Sequence, residues 1–466
     1  MLSEDVLFLP VTELGKRIRA RQLSPVELAE SYLDRSRKFG PKLNAYATLT
    51  PDLALAQARQ AEKEIAGGKY RGPLHGIPYA AKDLLAVKGY PTAWGARPYA
   101  GQKFDYDATV IRKLYSAGAV LLGKAAMIEL AGGMGYRYAS ASASGAARNP
   151  WNSDCWTCGS SSGSGAIVAA GLAAFAIGTE TWGSIICPSG FCGVSGLRPT
   201  YGRVSRHGAM ALSYSMDKIG PMCRTAGDCD LVLRVISGHD AKDAGSLPEE
   251  LANYTGSEES KSLRLGWLAN QWKDVAPDVT KAANGARKVL ESLHPATVKD
   301  VKLPEGPWET AAGIIVSVEG ATAFRELIQS GRVAELNDPL GKIGGYLNEE
   351  ISASDFILAQ RIRLILEKKM AEVFEKADVL VTSSLPVTAS KVEANLDVAL
   401  TFPDPIGGIG NICGLPAISV PCGFGDHGLP AGLQFIGRPL DDGKVVQAAR
   451  LFQSQTNWHA QHPKLS

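Results

Sequence analysis

One lysine and two serines of this sequence have the residue types and settings that nucleophilic catalysis needs. Lys82 lies in an apolar segment, Ser160 opens a run rich in serine and glycine, and Ser184 follows in a second glycine-containing turn. A serine hydroxyl is a weak nucleophile at neutral pH and needs a base to take its proton. Burial favours the neutral form of lysine, which can act as that base. The three residues therefore indicate acyl transfer through a covalent intermediate on a serine.

The segments around these residues closely resemble the amidase signature family, over nearly the whole chain. Lys82 matches the lysine of the family's strand motif, Ser160 the first serine of Gly-Gly-Ser-Ser-Gly-Gly-Ser, and Ser184 the serine of Gly-Gly-Ser-Ile. Two further similar segments are residues 192–200 and 414–421. The resemblance implies a triad in which Ser184 is the nucleophile, Ser160 follows a cis peptide bond and passes a proton, and Lys82 is the base.

The other parts of the site are expected around the nucleophile. Backbone N–H groups that hold an oxyanion can contribute about 3 kcal/mol each, and here they would be those of Thr181, Trp182, Gly183 and Ser184. For the substrate pocket we expect Met134, Gly135, Tyr136 and Ile186. This chemistry requires no cofactor and no metal.

Two positions beside the nucleophile depart from the family pattern. Trp182 stands where the family commonly has glycine, and Ile186 where it commonly has arginine. Burying a substrate carboxylate without a cation is costly, so we expect an apolar pocket. The expected activity is a stand-alone amidohydrolase of neutral linear amides, with esters or carbamates as further substrates. The alternative is the glutamine-hydrolysing A subunit of a tRNA-dependent amidotransferase, and a non-catalytic binding protein is a third interpretation.

Other motifs allow rival interpretations of the same residues. Residues 159–163 fit a Gly-x-Ser-x-Gly nucleophile elbow with Ser161 as nucleophile, but no histidine downstream has a distinctive setting. Residues 215–218 fit Ser-x-x-Lys, yet the companion motifs come in the wrong order. A phosphate-binding loop would end in Gly-Lys-Ser/Thr, which is missing here. The triad is the favoured interpretation.

Four cysteines lie near the two serine segments. A zinc site made of Cys155, Cys158, Cys187 and Cys192 is one interpretation, because structural zinc takes four such ligands. Small residues lining a tight active-site floor are the favoured one.

Composition limits the partners. The chain has 466 residues, 45% of them hydrophobic, and a formal charge of +2 from 49 basic and 47 acidic residues. This balance gives no electrostatic reason to expect nucleic acid or an anionic membrane. The start of the chain lacks a secretory signal, so we expect a cytoplasmic protein with its cysteines reduced. The expected partner is a small-molecule amide, and a homodimer is left open.

The pattern of elements predicts an α/β fold. Helices are expected to begin at Ser24 and over residues 52–65, 108–115, 163–174, 279–293, 354–376 and 441–455, and strands over 77–85, 119–123, 378–382 and 433–436. No linker or compositional break divides the chain, so we expect one domain over residues 1–466. The family resemblance implies a mixed central sheet flanked by helices.

Overall fold

An eleven-stranded mixed β-sheet forms the centre of the computed structural model, which describes residues 2–257, 262–272, 274–293, 298–399 and 405–465. The strand order is β1-β3-β2-β6-β8-β7-β12-β13-β11-β9-β10, and β4 and β5 form a separate hairpin. The strands are β1 (Tyr46–Leu49), β2 (Pro78–Lys82), β3 (Val120–Ala125), β4 (Arg148–Asn149), β5 (Asn152–Trp156), β6 (Phe175–Glu180), β7 (Ser195–Arg198), β8 (Lys218–Cys223), β9 (Leu265–Leu268), β10 (Val298–Val301), β11 (Val379–Ser383), β12 (Ala417–Phe424) and β13 (Pro430–Gly437).

Helices flank this sheet. They are α1 (Glu4–Leu7), α2 (Val11–Arg19), α3 (Pro25–Leu43), α4 (Pro51–Ala66), α5 (Thr109–Ser116), α6 (Ser162–Ala169), α7 (Ile186–Cys192), α8 (Ala226–Ile236), α9 (Glu249–Ala252), α10 (Pro277–Leu293), α11 (Trp308–Ala323), α12 (Arg325–Gln329), α13 (Gly341–Glu349), α14 (Ala353–Lys376), α15 (Leu396–Ala399), α16 (Gly407–Ile412) and α17 (Asp442–Ser454). The expected α/β class, with a mixed central sheet between helices, is confirmed.

The start of α3 shows how local sequence determines an element. The side chain of Ser24 accepts hydrogen bonds from the backbone N–H groups of Val26 and Glu27, both at 3.1 Å, and Pro25 occupies the first helical position. These contacts satisfy N–H groups that have no partner within the helix. The helix start predicted at Ser24 is confirmed.

Strands β2 and β6 place the chemically interesting residues at one edge of the sheet. They pair in parallel, with Tyr79 opposite Phe175, and every residue of both is buried. Because parallel strands point the same way, the carboxyl end of β2, at Lys82, lies beside the carboxyl end of β6, at Glu180.

Helix α6 is shorter than predicted. The sequence pattern predicts it over residues 163–174, but it ends at Ala169. Gly171 adopts a left-handed φ of +62°, a conformation that ends helices and that glycine tolerates best. The chain then turns directly into β6 at Phe175.

Within the described residues, no helix is both long enough and apolar enough to cross a membrane.

All eight cysteines are buried and in the thiol form. Burial makes a thiol inaccessible to added reagents. It also raises the pKa of the Cys192 and Cys422 thiols, so little reactive thiolate is present. We expect Ellman's reagent to react very slowly with the native protein and rapidly with all eight thiols in denaturant, in a spectrophotometric titration. Fewer than eight thiols in denaturant without reductant would contradict this and indicate a disulfide.

Candidate active site

Lys82 ends β2 with its side chain fully buried. Its Nζ lies 2.7 Å from the Oγ of Ser160, 2.9 Å from the Oγ1 of Thr179 and 3.4 Å from the carbonyl oxygen of Thr179. Burial penalises the ammonium and lowers the pKa of Lys82 to about 7, although the charges of Asp217 and Glu180 oppose this. A substantial fraction of the lysine is therefore a neutral amine at physiological pH, with a hydroxyl within hydrogen-bond distance.

The serine-rich segment leading into α6 is tightly enclosed. The Gly159–Ser160 peptide bond is cis. A Cβ atom on Gly163 would lie 2.3 Å from the carbonyl oxygen of Ala45 and 2.5 Å from the backbone nitrogen of Ala126, so only glycine fits there. Ser161 is fully buried, and its hydroxyl donates to the carbonyl oxygen of Thr179 and accepts from the N–H of the same residue. Ser161 thus holds the segment against β6, which does not suit the nucleophile of an elbow.

The turn that carries Ser184 joins β6 to α7. Gly183 has a φ of +79°, and a Cβ there would lie 2.7 Å from the Sγ of Cys187, so a larger residue would be strained. Trp182 does not adopt a positive φ, so the turn tolerates tryptophan where the family commonly has glycine. Among the described residues, none accepts a hydrogen bond from the backbone N–H groups of the four residues expected to hold an oxyanion, Thr181, Trp182, Gly183 and Ser184. The side chain of Ser184 is largely buried.

Two acidic residues hold the ends of this turn. Asp217 accepts from the Oγ1 of Thr181 at 2.6 Å and from the N–H groups of Leu212 and Ser213. The carboxylate of Glu180 accepts from the N–H of Ile185 at 2.8 Å and of Ile186 at 3.0 Å. The sequence predicted no role for either acid, since each acts on partners that only the folded chain brings near. The available signals were that Asp217 resembles an aspartate of the family and that Glu180 lies four residues before Ser184.

The other expected pocket residues are dispersed. Tyr136 contacts Trp156 of β5, with ring centroids 6.2 Å apart, and burial together with the nearby thiols of Cys158 and Cys187 raises its pKa. Tyr136 therefore lies near both serine segments. Gly135 approaches the side chain of Leu340, and the backbone of Met134 approaches Gly344 of α13.

Ile186, which was expected in the substrate pocket, does not line an open cavity. It is fully buried in an apolar cluster that includes Met216 and Ile412. Trp182 is only partly buried and packs against the same cluster.

A cavity of about 320 Å³ adjoins the turn. Its walls include Thr179, which contacts Lys82, and Thr181, which begins the turn. Much of the lining is apolar, with Leu84, Met210 and Leu212 among it. The charged residues that border it are Arg206, Asp217, Lys218, Lys242 and Asp243. Ionisable side chains therefore border the space beside Thr179 and Thr181.

The four cysteines considered as zinc ligands do not form a ligand set. Over the described ranges, no three histidine, cysteine or acidic side chains are grouped as metal ligands would be. The Sγ of Cys192 donates instead to the carbonyl oxygen of Thr157.

Comparison with known proteins identifies relatives over the full length. The family model for Amidase matches residues 27–446. The A subunit of the glutamyl-tRNA(Gln) amidotransferase of Dehalococcoides mccartyi is 35% identical, over 99% of this chain and 100% of the relative. Two similar crystal structures are those of the peptide amidase of Stenotrophomonas maltophilia (29% identity, TM-score 0.85, 97% of this chain and 98% of that one) and of the glutamyl-tRNA(Gln) amidotransferase A chain of Thermotoga maritima (28%, 0.82, 99% and 98%).

These relatives overturn two expectations. The stand-alone hydrolase of neutral amides is wrong as the main interpretation, because full-length relatives at 35–36% identity are named as amidotransferase subunits. Esters and carbamates find no support among them. The physical error was to infer the pocket's character from Trp182 and Ile186, although ionisable residues from other segments border the cavity at Thr181.

The expected partners are wrong for the same reason. We expected a small-molecule amide as partner, no nucleic acid, and at most a homodimer. This does not agree with relatives that are named as subunits of a glutamyl-tRNA(Gln) amidotransferase. A near-neutral net charge describes one chain, and it does not report on the charge of an assembly with other chains. The family model, the full-length relatives and the shared fold agree on the class: the chain belongs to the amidase family, whose enzymes hydrolyse amides.

Proposed function

We propose that this chain is the A subunit of a tRNA-dependent amidotransferase, and that it releases ammonia from the side-chain amide of glutamine for a partner subunit. The observation that carries the chemistry is the contact of 2.7 Å between the buried Nζ of Lys82 and the Oγ of Ser160, beside the turn of Ser184. The choice of glutamine is supported by the full-length relatives.

In the proposed mechanism, the Oγ of Ser184 attacks the carbonyl carbon of the glutamine side chain. Its proton passes to Ser160, while the proton of Ser160 passes to the neutral amine of Lys82. The N–H groups of Trp182, Gly183 and Ser184 stabilise the oxyanion that forms. The C–N bond then breaks, and the leaving nitrogen takes a proton back through Ser160 to leave as ammonia. Water attacks the acyl-enzyme by the same proton route, and glutamate is released.

The cavity beside the turn suits a charged substrate. Free glutamine carries an ammonium and a carboxylate, and residues of both signs border the cavity: Arg206, Lys242, Asp217 and Asp243. Some of this charge is already paired, since Arg206 and Asp243 form an ion pair at 2.8 Å. The side chain of Lys242 is exposed and cationic, which makes it the candidate for meeting the substrate carboxylate.

The proposal is tested by measuring glutamate formed from glutamine. The chain is purified with the remaining amidotransferase subunits of its source and assayed with and without glutamyl-tRNA(Gln), in a glutamate dehydrogenase-coupled assay. We expect hydrolysis by the complex, stimulated by the tRNA, because coupling of the two sites prevents waste of ammonia. A complex containing Ser184→Ala is the matched control and is expected to form no glutamate.

A wild-type complex that leaves glutamine intact, although Ser184 reacts with a fluorophosphonate, would contradict the substrate assignment. It would leave the serine chemistry in place.

A further inference from the structure

The carboxylate of Glu180 joins the nucleophile turn to two distant parts of the fold. Its Oε2 accepts from the N–H groups of Ile185 and Ile186, at 2.8 and 3.0 Å. Its Oε1 accepts from the Nη1 of Arg198 at 2.6 Å and from the Nδ2 of Asn411 at 3.0 Å. All four donors point at one fully buried side chain.

We propose that Glu180 is a positioning residue for catalysis: its carboxylate clamps the backbone after Ser184 and thereby aims the N–H groups of the turn at the reacting oxygen. The proposal rests on the proposed role of Ser184 as nucleophile. Glu180 contacts the backbone N–H groups of residues 185 and 186, and in this proposal it acts through them.

The arrangement requires an ionised carboxylate. Both oxygens are surrounded by donors, and a glutamine side chain would direct its own N–H donors at two of them, leaving buried polar groups unsatisfied. Burial by itself would raise the pKa of Glu180, but the paired Arg198 and the backbone donors outweigh that cost and hold the pKa at about 2. The side chain therefore stays charged throughout the pH range in which Lys82 titrates.

The clamp closes the turn on itself. The side chain of Glu180 precedes residues 181–184, and its partners Ile185 and Ile186 follow them, so the segment is tied at both ends. The start of the segment is also held by the hydrogen bond of 2.6 Å from the Oγ1 of Thr181 to the carboxylate of Asp217. Donors fixed in advance need no reorganisation when charge develops on the substrate oxygen, which is why preorganised N–H groups accelerate acyl transfer.

The test compares Glu180→Gln with Asp228→Asn, which removes the charge of another fully buried carboxylate that accepts from the N–H of Thr12. For each variant, kcat and KM for glutamine are measured in the complex, together with the rate constant for fluorophosphonate labelling and the Tm. For Glu180→Gln we expect kcat and labelling to fall by about 100-fold, the scale of losing one oxyanion donor, with KM changed little. Asp228→Asn is expected to leave kcat and labelling near wild type.

If Glu180→Gln lowers only the Tm and leaves kcat and labelling near wild type, Glu180 is merely structural and the proposal is overturned. Should Glu180→Gln not fold, Glu180→Asp decides: it keeps the charge but withdraws it by one methylene. A parallel fall of about 10-fold in kcat and labelling supports positioning, and wild-type values for both overturn it. Failure of the wild type itself to label at Ser184 would instead contradict the proposed function.

Discussion

Replacing Ser184 with alanine is expected to abolish amide hydrolysis while leaving the fold intact. The change removes one hydroxyl, and the backbone contact from the N–H of Ser161 to the carbonyl oxygen of Ser184 remains. Nucleophile and base act as a unit, so the loss of kcat should be on the order of 10⁶-fold. The measurement is glutamate release by the purified complex, with circular dichroism and the Tm as evidence of an unchanged fold.

Labelling identifies the nucleophile independently of the substrate. A fluorophosphonate should modify the wild type at Ser184, located by mass spectrometry, and should not modify Ser184→Ala. Ser161→Ala is the control, because Ser161 is bonded to the backbone of Thr179. Modification of Ser161 in the wild type would replace the triad with an elbow mechanism.

Lys82→Met should cost as much in kcat as Ser184→Ala, because the proton of the nucleophile then has no base to receive it. The wild-type rate should depend on pH with the pKa of Lys82, which is about 7. Below that pH the lysine is an ammonium and cannot accept a proton, so kcat falls about tenfold per pH unit. Above it, kcat reaches a plateau. A pH–rate profile of the complex from pH 5 to 9, a range spanning roughly two units on either side of that pKa, tests this.

The same residue predicts the pH dependence of stability. In the unfolded chain Lys82 has an ordinary pKa of 10.5, and in the fold it is about 7. Between these values the unfolded state binds more protons, so the free energy of unfolding rises with pH through this window. At neutral pH the lowered pKa of Lys82 therefore reduces the free energy of unfolding. Lys82→Met removes this cost and should raise the Tm at neutral pH.

Lys124→Met is the matched control. Lys124 is also fully buried, on the neighbouring strand β3, but it forms an ion pair of 3.0 Å with Asp83. Its loss leaves a buried carboxylate unpaired and should lower the Tm, with far less effect on kcat than Lys82→Met. A Lys82→Met enzyme with near-normal kcat would show that the base is elsewhere.

Local signals in the sequence predicted much of the fold. A serine cap and a proline are enough to start α3 at Pro25, and apolar segments predicted β2 and β13. The strand order was beyond such signals, because β12 lies between β7 and β13 through pairings that sequence spacing does not reveal. The run of glycine and serine residues likewise located the serine-rich segment in the sequence, but it did not predict where α6 ends.

The candidate site, like the fold, could be predicted from the sequence only in part. The residues of the proposed triad lie in recognisable local motifs, and the structure brings Lys82 and Ser160 together. Glu180 and Asn411 contact each other from positions 231 residues apart, and the sequence predicted a role for neither of them. The pocket was expected to be apolar from Trp182 and Ile186, whereas ionisable residues of other segments, Lys242 and Asp217 among them, border the cavity at Thr181.

The close packing at Gly163 and Gly183 limits how this enzyme can diverge. Glycine-rich segments in linkers accept substitutions freely. Here the space that a methyl group would need is already filled, at Gly163 by the backbone of Ala45 and Ala126 and at Gly183 by the thiol of Cys187. Neighbouring hydroxyls can change with a loss of rate, whereas these glycines can change only if surrounding segments move as well. On the proposed function, new substrate preferences in descendants of this chain would therefore arise from the cavity wall, at positions such as Met210 and Lys242, while the glycines of the two serine segments stay the same.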